Sequence, residues 1–185
     1  MTQRVADNDV IATFAKRQHD WMERVLKGSL DPTEVARAVQ VLIDRGANCT
    51  RLTIDCDASP FTPDGWRVEE HKTGGQLAWS PSCVSLYFAD GQRDGKYVNG
   101  NALRKVLSFK STMNANVLDY LLANSHLIPE EWKGKYVFFW GTIYRHAGGS
   151  LCVRCLCWDG GRWDWCASWL GGDWHGGDPA ALRAS

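Results

Sequence analysis

Groups able to bind metal ions, attack electrophiles or transfer protons are concentrated in residues 151–178, LCVRCLCWDGGRWDWCASWLGGDWHGGD. This C-terminal segment contains four cysteines, four aspartates, one histidine and five of the ten tryptophans of the chain. Nearly all residues between the tryptophans are small or short and polar. Zinc binding, nucleophilic catalysis and carbohydrate binding are each compatible with these residue types.

A zinc site would use the Cys-x-x-Cys spacing of Cys152 and Cys155, together with Cys166 and His175. On an extended strand, however, residues three apart point to opposite faces. No second Cys-x-x-Cys follows at the spacing of a zinc ribbon or finger. A small zinc module therefore stays an alternative and is not the favoured interpretation.

A cysteine nucleophile activated by a histidine is a second alternative. Cys157 could pair with His146 or His175, but nothing in the sequence places these side chains together. A chain with seven cysteines supplies such pairs by chance. An enzyme of unknown chemistry that uses Cys157 or His175 is kept as the runner-up function.

A glycan-binding platform would combine exposed aromatic rings with the carboxylates of the C-terminal segment. Tryptophan buries a large apolar area, and few solvated sheets expose many of these rings. We therefore predict that the rings form a scaffold, and glycan binding is another alternative.

Strands must position these side chains. Residues 135–145 favour a strand, residues 151–158 return after a turn, and residues 163–170 form a third strand after Asp159-Gly160-Gly161-Arg162. The pleat places Trp163, Trp165, Ala167 and Trp169 on one side, with Asp164, Cys166, Ser168 and Leu170 on the other. It likewise separates Leu156 and Trp158 from Cys155 and Cys157.

Earlier residues alternate between short strands and helices. Residues 51–56 predict a strand, and further short strands are expected within residues 66–79 and 83–88. Residues 101–108 and 114–123 predict helices. Helices followed by a meander indicate an α+β fold.

A helical hairpin is predicted over residues 8–46. Apolar residues recur at helical spacing from Val10 to Leu26, and a second helix begins where Asp31 can cap and Pro32 fits the first position. We expect a packing or oligomerisation element. A helix-turn-helix DNA reader is disfavoured because the second helix offers only Arg37 and Arg45 as cations.

Composition excludes several classes of function. The 21 basic and 21 acidic residues balance, and no basic stripe predicts nucleic-acid binding. No apolar run is long enough to insert into a membrane, and the N-terminal residues do not resemble a signal peptide. An odd number of irregularly spaced cysteines fits a reducing compartment. We expect a cytoplasmic protein.

A regularity in residue types suggests another origin for the C-terminal segment. Lys, Glu, Gln and Met, whose codons end in a purine, are absent from residues 151–178. Cys, Asp, Gly, Arg, Ser, Ala and His can each be reached from an asparagine codon, AAC or AAT, by changing only its two adenines. The tryptophan codon TGG contains no adenine, so adenine-directed mutagenesis would leave the tryptophans unchanged.

This pattern resembles the variable proteins of diversity-generating retroelements, in which adenine-specific errors rewrite the C-terminal part of a binding protein. The resemblance covers chiefly residues 136–182, about a quarter of the chain. The rest of the chain also resembles small bacterial proteins with this ending. The resemblance to the variable proteins implies a C-type-lectin-like domain. Gly148-Gly149-Ser150 is followed by Leu151, whereas many of these proteins have tryptophan there.

The resemblance implies a non-enzymatic ligand-binding protein with no cofactor, no metal and no catalytic residue. A helical hairpin over residues 1–47, through which the chain could form a homo-oligomer, would precede a C-type-lectin-like display domain over residues 48–185. The expected ligand is a macromolecule, and a protein is favoured. The ligand-contacting residues would be Cys155, Cys157, Asp159, Gly160, Gly161, Arg162, Asp164, Cys166, Ala167, Ser168, Gly171, Gly172, Asp173, His175, Gly176, Gly177 and Asp178. The scaffold would be Trp158, Trp163, Trp165, Trp169 and Trp174.

Overall fold

The computed structural model of the chain describes residues 17, 19–47 and 53–184, with only the backbone described for residues 41–47. Contacts divide the chain into two units, Met1–Arg51 and Leu52–Ser185. The first turns of the predicted hairpin, from Val10 to Phe14, lie outside the described residues.

Two helical segments make up the described part of the first unit. Residues 19–26 are helical, and helix α1 spans Pro32–Ala47. Asp31 caps α1, as predicted, because its Oδ1 accepts hydrogen bonds from the backbone N–H groups of Thr33 and Glu34 at 2.6 and 3.2 Å.

Residues 53–184 contain eleven strands and two further helices. The strands are β1 (Thr53–Asp55), β2 (Arg67–His71), β3 (Gln76–Ala78), β4 (Val84–Tyr87), β5 (Val98–Asn99), β6 (Val137–Phe138), β7 (Thr142–Arg145), β8 (Leu151–Asp159), β9 (Arg162–Trp169), β10 (Asp173–Trp174) and β11 (Ala180–Arg183). The helices are α2 (Gly100–Leu107) and α3 (Ala115–Ala123), and short 3-10 turns span Pro81–Cys83, Asp90–Gln92, Ser125–Leu127 and Glu130–Trp132. The predicted α+β class is confirmed.

Seven strands form one mixed sheet in the order β2, β7, β8, β6, β11, β4, with β9 paired to the other edge of β8. All of its pairings are antiparallel except that between β6 and β11. β1 pairs with β3 and β5 pairs with β10 in two small sheets. β8 therefore lies in the interior of the large sheet, with partners along both edges.

The predicted strand over residues 135–145 is interrupted. β6 pairs with β8 at Val137 and Phe138, whereas β7 pairs with β8 only from Tyr144 onward. Gly141 turns away, and its backbone N–H donates a hydrogen bond to the carbonyl oxygen of Met113 at 2.8 Å. A Cβ on Gly141 would lie 2.8 Å from that carbonyl, so close packing of two chain segments decides the interruption.

Each face of β8 is covered by a different hydrophobic cluster. Leu156 packs into a cluster with Val117, Leu118 and Leu121 of α3. Val153 and Cys155 point the other way and pack into a cluster with Leu103 and Leu107 of α2. This two-sided burial determines which residues of the C-terminal segment can reach solvent.

Candidate ligand-binding surface

β8 and β9 form a long hairpin, as predicted, closed by the two-residue turn Gly160-Gly161. Both glycines adopt left-handed backbone, with φ of 55° and 82°. Left-handed conformation at both central positions is the type I′ turn that matches the twist of paired strands. The register runs from Asp159 opposite Arg162 to Cys152 opposite Trp169.

The register confirms the predicted sorting of side chains onto two faces. One face, here called the small-residue face, contains four cross-strand pairs: Val153 with Ser168, Cys155 with Cys166, Cys157 with Asp164, and Asp159 with Arg162. The other, called the tryptophan face, contains Cys152 with Trp169, Arg154 with Ala167, Leu156 with Trp165, and Trp158 with Trp163. Ala167 is thus separated from most of the other predicted ligand-contacting residues of the strands.

Most predicted ligand-contacting residues reach solvent to some degree. Nine are exposed: Asp159, Gly160, Gly161, Arg162, Gly171, Gly172, Asp173, His175 and Gly176. Six are half-buried: Cys157, Asp164, Cys166, Ala167, Ser168 and Gly177. The exposed ones form the hairpin tip and the loop that follows β9.

Two of the predicted ligand contacts are wrong, because the side chains are buried. Cys155 is 0% exposed and packs in the cluster of Phe138 and Trp174, since β8 is an interior strand. Asp178 is 9% exposed, and its Oδ2 accepts a hydrogen bond from the backbone N–H of His175 at 2.9 Å. Both residues stabilise the surface from below.

Three cysteines cluster on the small-residue face. The Sγ atoms of Cys155 and Cys166 are 2.8 Å apart. Hydrogen bonding from the Cys155 thiol, and secondarily from Cys157, lowers the pKa of Cys166 to about 7 against the opposing effect of burial. Burial raises the pKa of Cys155, and it raises that of Cys157 to about 12. Cys166 is therefore the thiol of this cluster that ionises near neutral pH.

The loop after β9 is held by two buried side chains. Trp174 is 1% exposed, and its ring centroid lies 4.3 Å from that of Phe138. Gln92, 2% exposed, donates from Nε2 to the carbonyl oxygens of His175 and Asp178, both at 3.0 Å. No local pattern in the sequence indicates this role of Gln92, because its partners lie more than 80 residues away in the chain.

A shallow groove of about 720 Å³ lies beside this loop. One wall is formed by the predicted ligand contacts His175, Gly176 and Gly177, and the other includes Arg93 and Tyr97. Tyr97 is 65% exposed, and its ring meets the His175 ring edge to face at 6.1 Å. The groove thus combines residues of the C-terminal segment with a guanidinium and an aromatic ring from outside it.

The five tryptophans predicted to form the scaffold differ in burial. Trp174 is buried, and Trp163 and Trp165 are half-buried against the α3 cluster. Trp158 and Trp169 are 36% and 46% exposed, because β9 is an edge strand and the hairpin tip projects beyond the sheet. An exposed ring at the tip is available to contact a ligand.

A buried arginine supports the tryptophan face. Arg154 is 1% exposed, and its two terminal nitrogens donate to Asp119 of α3 at 2.7 and 3.1 Å. Its guanidinium lies 4.4 Å from the Trp165 ring centroid and 5.1 Å from that of Phe61. No local pattern predicts this pair, since an arginine within a strand gives no sign that it faces the core.

The zinc-site and enzyme alternatives depend on the surroundings of the cysteines and of His175. Within the described parts of the chain, no group of three or more His, Cys, Asp or Glu side chains is placed to hold a metal ion. The raised pKa of Cys157 keeps it protonated at neutral pH, whereas nucleophilic attack needs a thiolate. His175 accepts a hydrogen bond at Nδ1 from the backbone N–H of Gly177 at 2.9 Å, and its Nε2 lies 3.4 Å from Asp178 Oδ2.

Comparison of the chain with protein-family models, with curated proteins and with solved structures gave no match. Among the described helices, none has the length and apolar character needed to cross a membrane.

Proposed function

We propose that this chain is a non-enzymatic ligand-binding protein whose C-terminal surface is diversified by adenine-directed mutagenesis, as in the variable proteins of diversity-generating retroelements. One observation carries the proposal: residue types reachable from AAC or AAT occupy the exposed hairpin tip and the exposed loop after β9. The unchangeable tryptophans lie between them.

A diversified surface needs positions that accept many side chains without loss of fold. A Cβ on Gly171 would meet no atom within 4 Å, and the same holds for Gly160 and Gly161. At Gly160 and Gly161 the left-handed backbone, and not a lack of space, limits which side chains fit. Asparagine is the residue other than glycine that best tolerates the first position of a type I′ turn. Asparagine is also what an unmutated AAC codon would encode there.

The ligand surface in this proposal consists of the hairpin tip, the loop over residues 171–177 and the adjoining groove. Binding energy in interfaces concentrates in a few aromatic and arginine side chains. Trp158, Trp169 and Tyr97 are exposed fixed rings beside the two diversified segments, and Arg162 is an exposed cation of the tip. A protein surface is the ligand class that a wide, shallow site of this composition fits best.

A C-type-lectin-like arrangement for residues 48–185 is part of the same proposal, supported by helices α2 and α3, which precede the β8–β9 hairpin in the chain. An N-terminal helical hairpin that forms a homo-oligomer is also part of it. Met22 and Leu26 are 47% and 85% exposed on the first helical segment, which supports association through apolar contact.

The test is a search of the gene's neighbourhood for an imperfect copy of the codons for residues 151–178 beside a reverse-transcriptase gene. We expect mismatches only at adenines of the copy, and only in codons of exposed or half-buried residues. The codons for residues 136–150 provide the matched control and should be identical in the copy wherever it extends over them. A complete locus without such a copy would refute the diversification.

The codons for Cys155 and Asp178 test the proposed ligand surface separately from the diversification mechanism. Both residues are buried, so we expect no template adenine that changes them. Adenines in these two codons would leave diversification standing but contradict the surface described here.

A further inference from the structure

Two cysteines face each other directly across the β8–β9 hairpin. Cys155 of β8 and Cys166 of β9 are partners in the register. The backbone N–H of Leu170 donates to the carbonyl oxygen of Leu151 at 2.9 Å, and hydrogen-bonded pairs recur at every second residue of an antiparallel ladder. Cys155 and Cys166 are therefore such a pair, with Cα atoms about 5.5 Å apart. Cysteines in disulfides have Cα atoms about 4.4–6.8 Å apart, so the backbone spacing suits a cross-link.

The side chains complete this geometry. The Sγ atoms of Cys155 and Cys166 lie 2.8 Å apart, and both cysteines are unbridged. A disulfide bond is about 2.0 Å long, so a movement of roughly 0.8 Å would bring the two sulfur atoms to bonding distance. The pair is a reduced dithiol that can close with little change in the strands.

The two thiols differ in access and in acidity. Cys166 is half-buried on the edge strand β9, whereas Cys155 is 0% exposed on the interior strand β8. Hydrogen bonding from Cys155 lowers the pKa of Cys166 to about 7, and burial raises the pKa of Cys155. The thiolate is the form of cysteine that oxidants attack. Cys166 is therefore the thiol that an oxidant meets first, and Cys155 is placed to react with it afterwards.

Cys157 is the alternative partner for Cys166, because it lies on the same face of the hairpin. Its Sγ donates to the carbonyl oxygen of Asp164 at 3.6 Å, and Asp164 is its partner in the register. Cys157 and Cys166 are thus diagonal neighbours, and such positions lie about 7–8 Å apart, beyond the usual spacing of a disulfide. Cys152 lies on the tryptophan face, where its Sγ donates to the carbonyl oxygen of Tyr144 at 3.8 Å. Cys155 is the partner that the geometry favours.

We propose that Cys155 and Cys166 form a site that peroxides oxidise to a disulfide across the hairpin. The Cys166 thiolate attacks one peroxide oxygen, the O–O bond breaks, and the other oxygen leaves with a proton as water or an alcohol. This step gives a sulfenic acid at Cys166. The Cys155 sulfur then bonds to the Cys166 sulfur, and the sulfenic hydroxyl leaves with the Cys155 proton as water. Each disulfide consumes one peroxide, which accepts the two electrons that the sulfur atoms lose.

The cross-link joins the edge strand of the hairpin to the interior of the large sheet. It would hold β9, which connects the hairpin tip to the loop over residues 171–177, in a fixed register on β8. A reducing compartment would keep both thiols reduced until a peroxide is present, and exchange with a dithiol would restore them. The reaction depends on these two side chains and is independent of how the C-terminal segment arose.

The experiment treats the reduced full chain, freed of reductant, with an equimolar amount of hydrogen peroxide. The remaining thiols are then blocked with N-ethylmaleimide in denaturant, and the intact mass is measured. We expect two fewer maleimide groups than in the untreated chain. Trypsin cleaves after Arg154 and Arg162, so Cys155 and Cys166 fall in different peptides. Fragmentation of the linked peptides shows whether Cys155 or Cys157 is bonded to Cys166.

Variants assign the role of each thiol. Cys155→Ala keeps a small apolar side chain in the core, and it should abolish the cross-link and leave a sulfenic acid at Cys166 that dimedone traps. Cys157→Ala is the matched control on the same face and should form the disulfide as the unsubstituted chain does. Cys166→Ala should slow the loss of thiols about 10-fold, because it removes the thiol of low pKa. The linkage in the unsubstituted chain is read without any variant, so a variant that fails to fold leaves the test intact.

Three results would overturn the proposal. They are the absence of a disulfide in the peroxide-treated chain, a link from Cys166 to Cys157, or an unchanged yield of cross-link in Cys155→Ala. None of them would affect the gene-neighbourhood test of the proposed function.

Discussion

Removal of the Asp119 carboxylate tests the buried support of the tryptophan face. Asp119→Ala leaves the Arg154 guanidinium, 1% exposed, without its two carboxylate hydrogen bonds of 2.7 and 3.1 Å. Loss of one partner of a buried ion pair costs about 3–5 kcal/mol, because the remaining charge is buried without compensation. The rings of Trp165 and Phe61 still face the cation, which favours the lower half of that range.

Substitution of the other partner, Arg154, should lower the free energy of unfolding by less. Arg154→Met keeps an apolar, flexible side chain in the core, and Asp119, 30% exposed, can be hydrated when its partner is absent. We expect a loss of about 1–2 kcal/mol for this variant. The double variant Asp119→Ala with Arg154→Met should be more stable than Asp119→Ala alone.

Urea unfolding followed by tryptophan fluorescence measures all three variants, and thermal unfolding gives a second readout. For a domain of this size, Asp119→Ala should lower the Tm by about 10–15 °C. A loss of free energy of unfolding below about 1 kcal/mol, or equal losses for the two single variants, would refute the reasoning.

Four further predictions concern the candidate surface and the residues packed beneath it. The rate at which iodoacetamide alkylates Cys166, measured by mass spectrometry, should rise with pH and have its midpoint near the Cys166 pKa of about 7. Cys157, with a pKa of about 12, should react slowly over the same pH range. Equal rates at pH 7 would contradict this prediction. Gly171→Tyr should change stability by less than about 0.5 kcal/mol. Gly100→Ala should lower the free energy of unfolding by more than about 2 kcal/mol, because its Cβ would lie 2.3 Å from Trp174 Nε1. Calorimetry of the Gly171 and Gly100 variants measures both effects. Gln92→Ala should cost about 2–4 kcal/mol and accelerate amide exchange in the loop after β9 specifically; unchanged exchange there would show that Gln92 does not hold the loop.

Local patterns in the sequence determine much of the secondary structure. Asp31 and Pro32 predict the start of α1 because capping involves only neighbouring residues. The paired glycines at 160 and 161 predict the hairpin turn, since their backbone freedom is a property of the residues themselves. The alternation of side chains then assigns the faces of β8 and β9 without any knowledge of the rest of the fold.

Local patterns do not determine which face is covered. Cys155 and Cys157 share a face and a residue type, yet one is buried and the other half-buried, because Phe138 and Trp174 pack over the first. The interruption at Gly141 depends on the Met113 backbone, 28 positions away in the chain.

The alternation of small residues with tryptophans on paired strands follows from the local sequence, because strand period and turn chemistry act over a few residues. The remaining features follow from the tertiary structure. It placed β11 between β6 and β4, buried Cys155 and Asp178, and joined Tyr97 to the loop after β9. Burial and strand order result from contacts between segments far apart in the chain, and no local pattern encodes them.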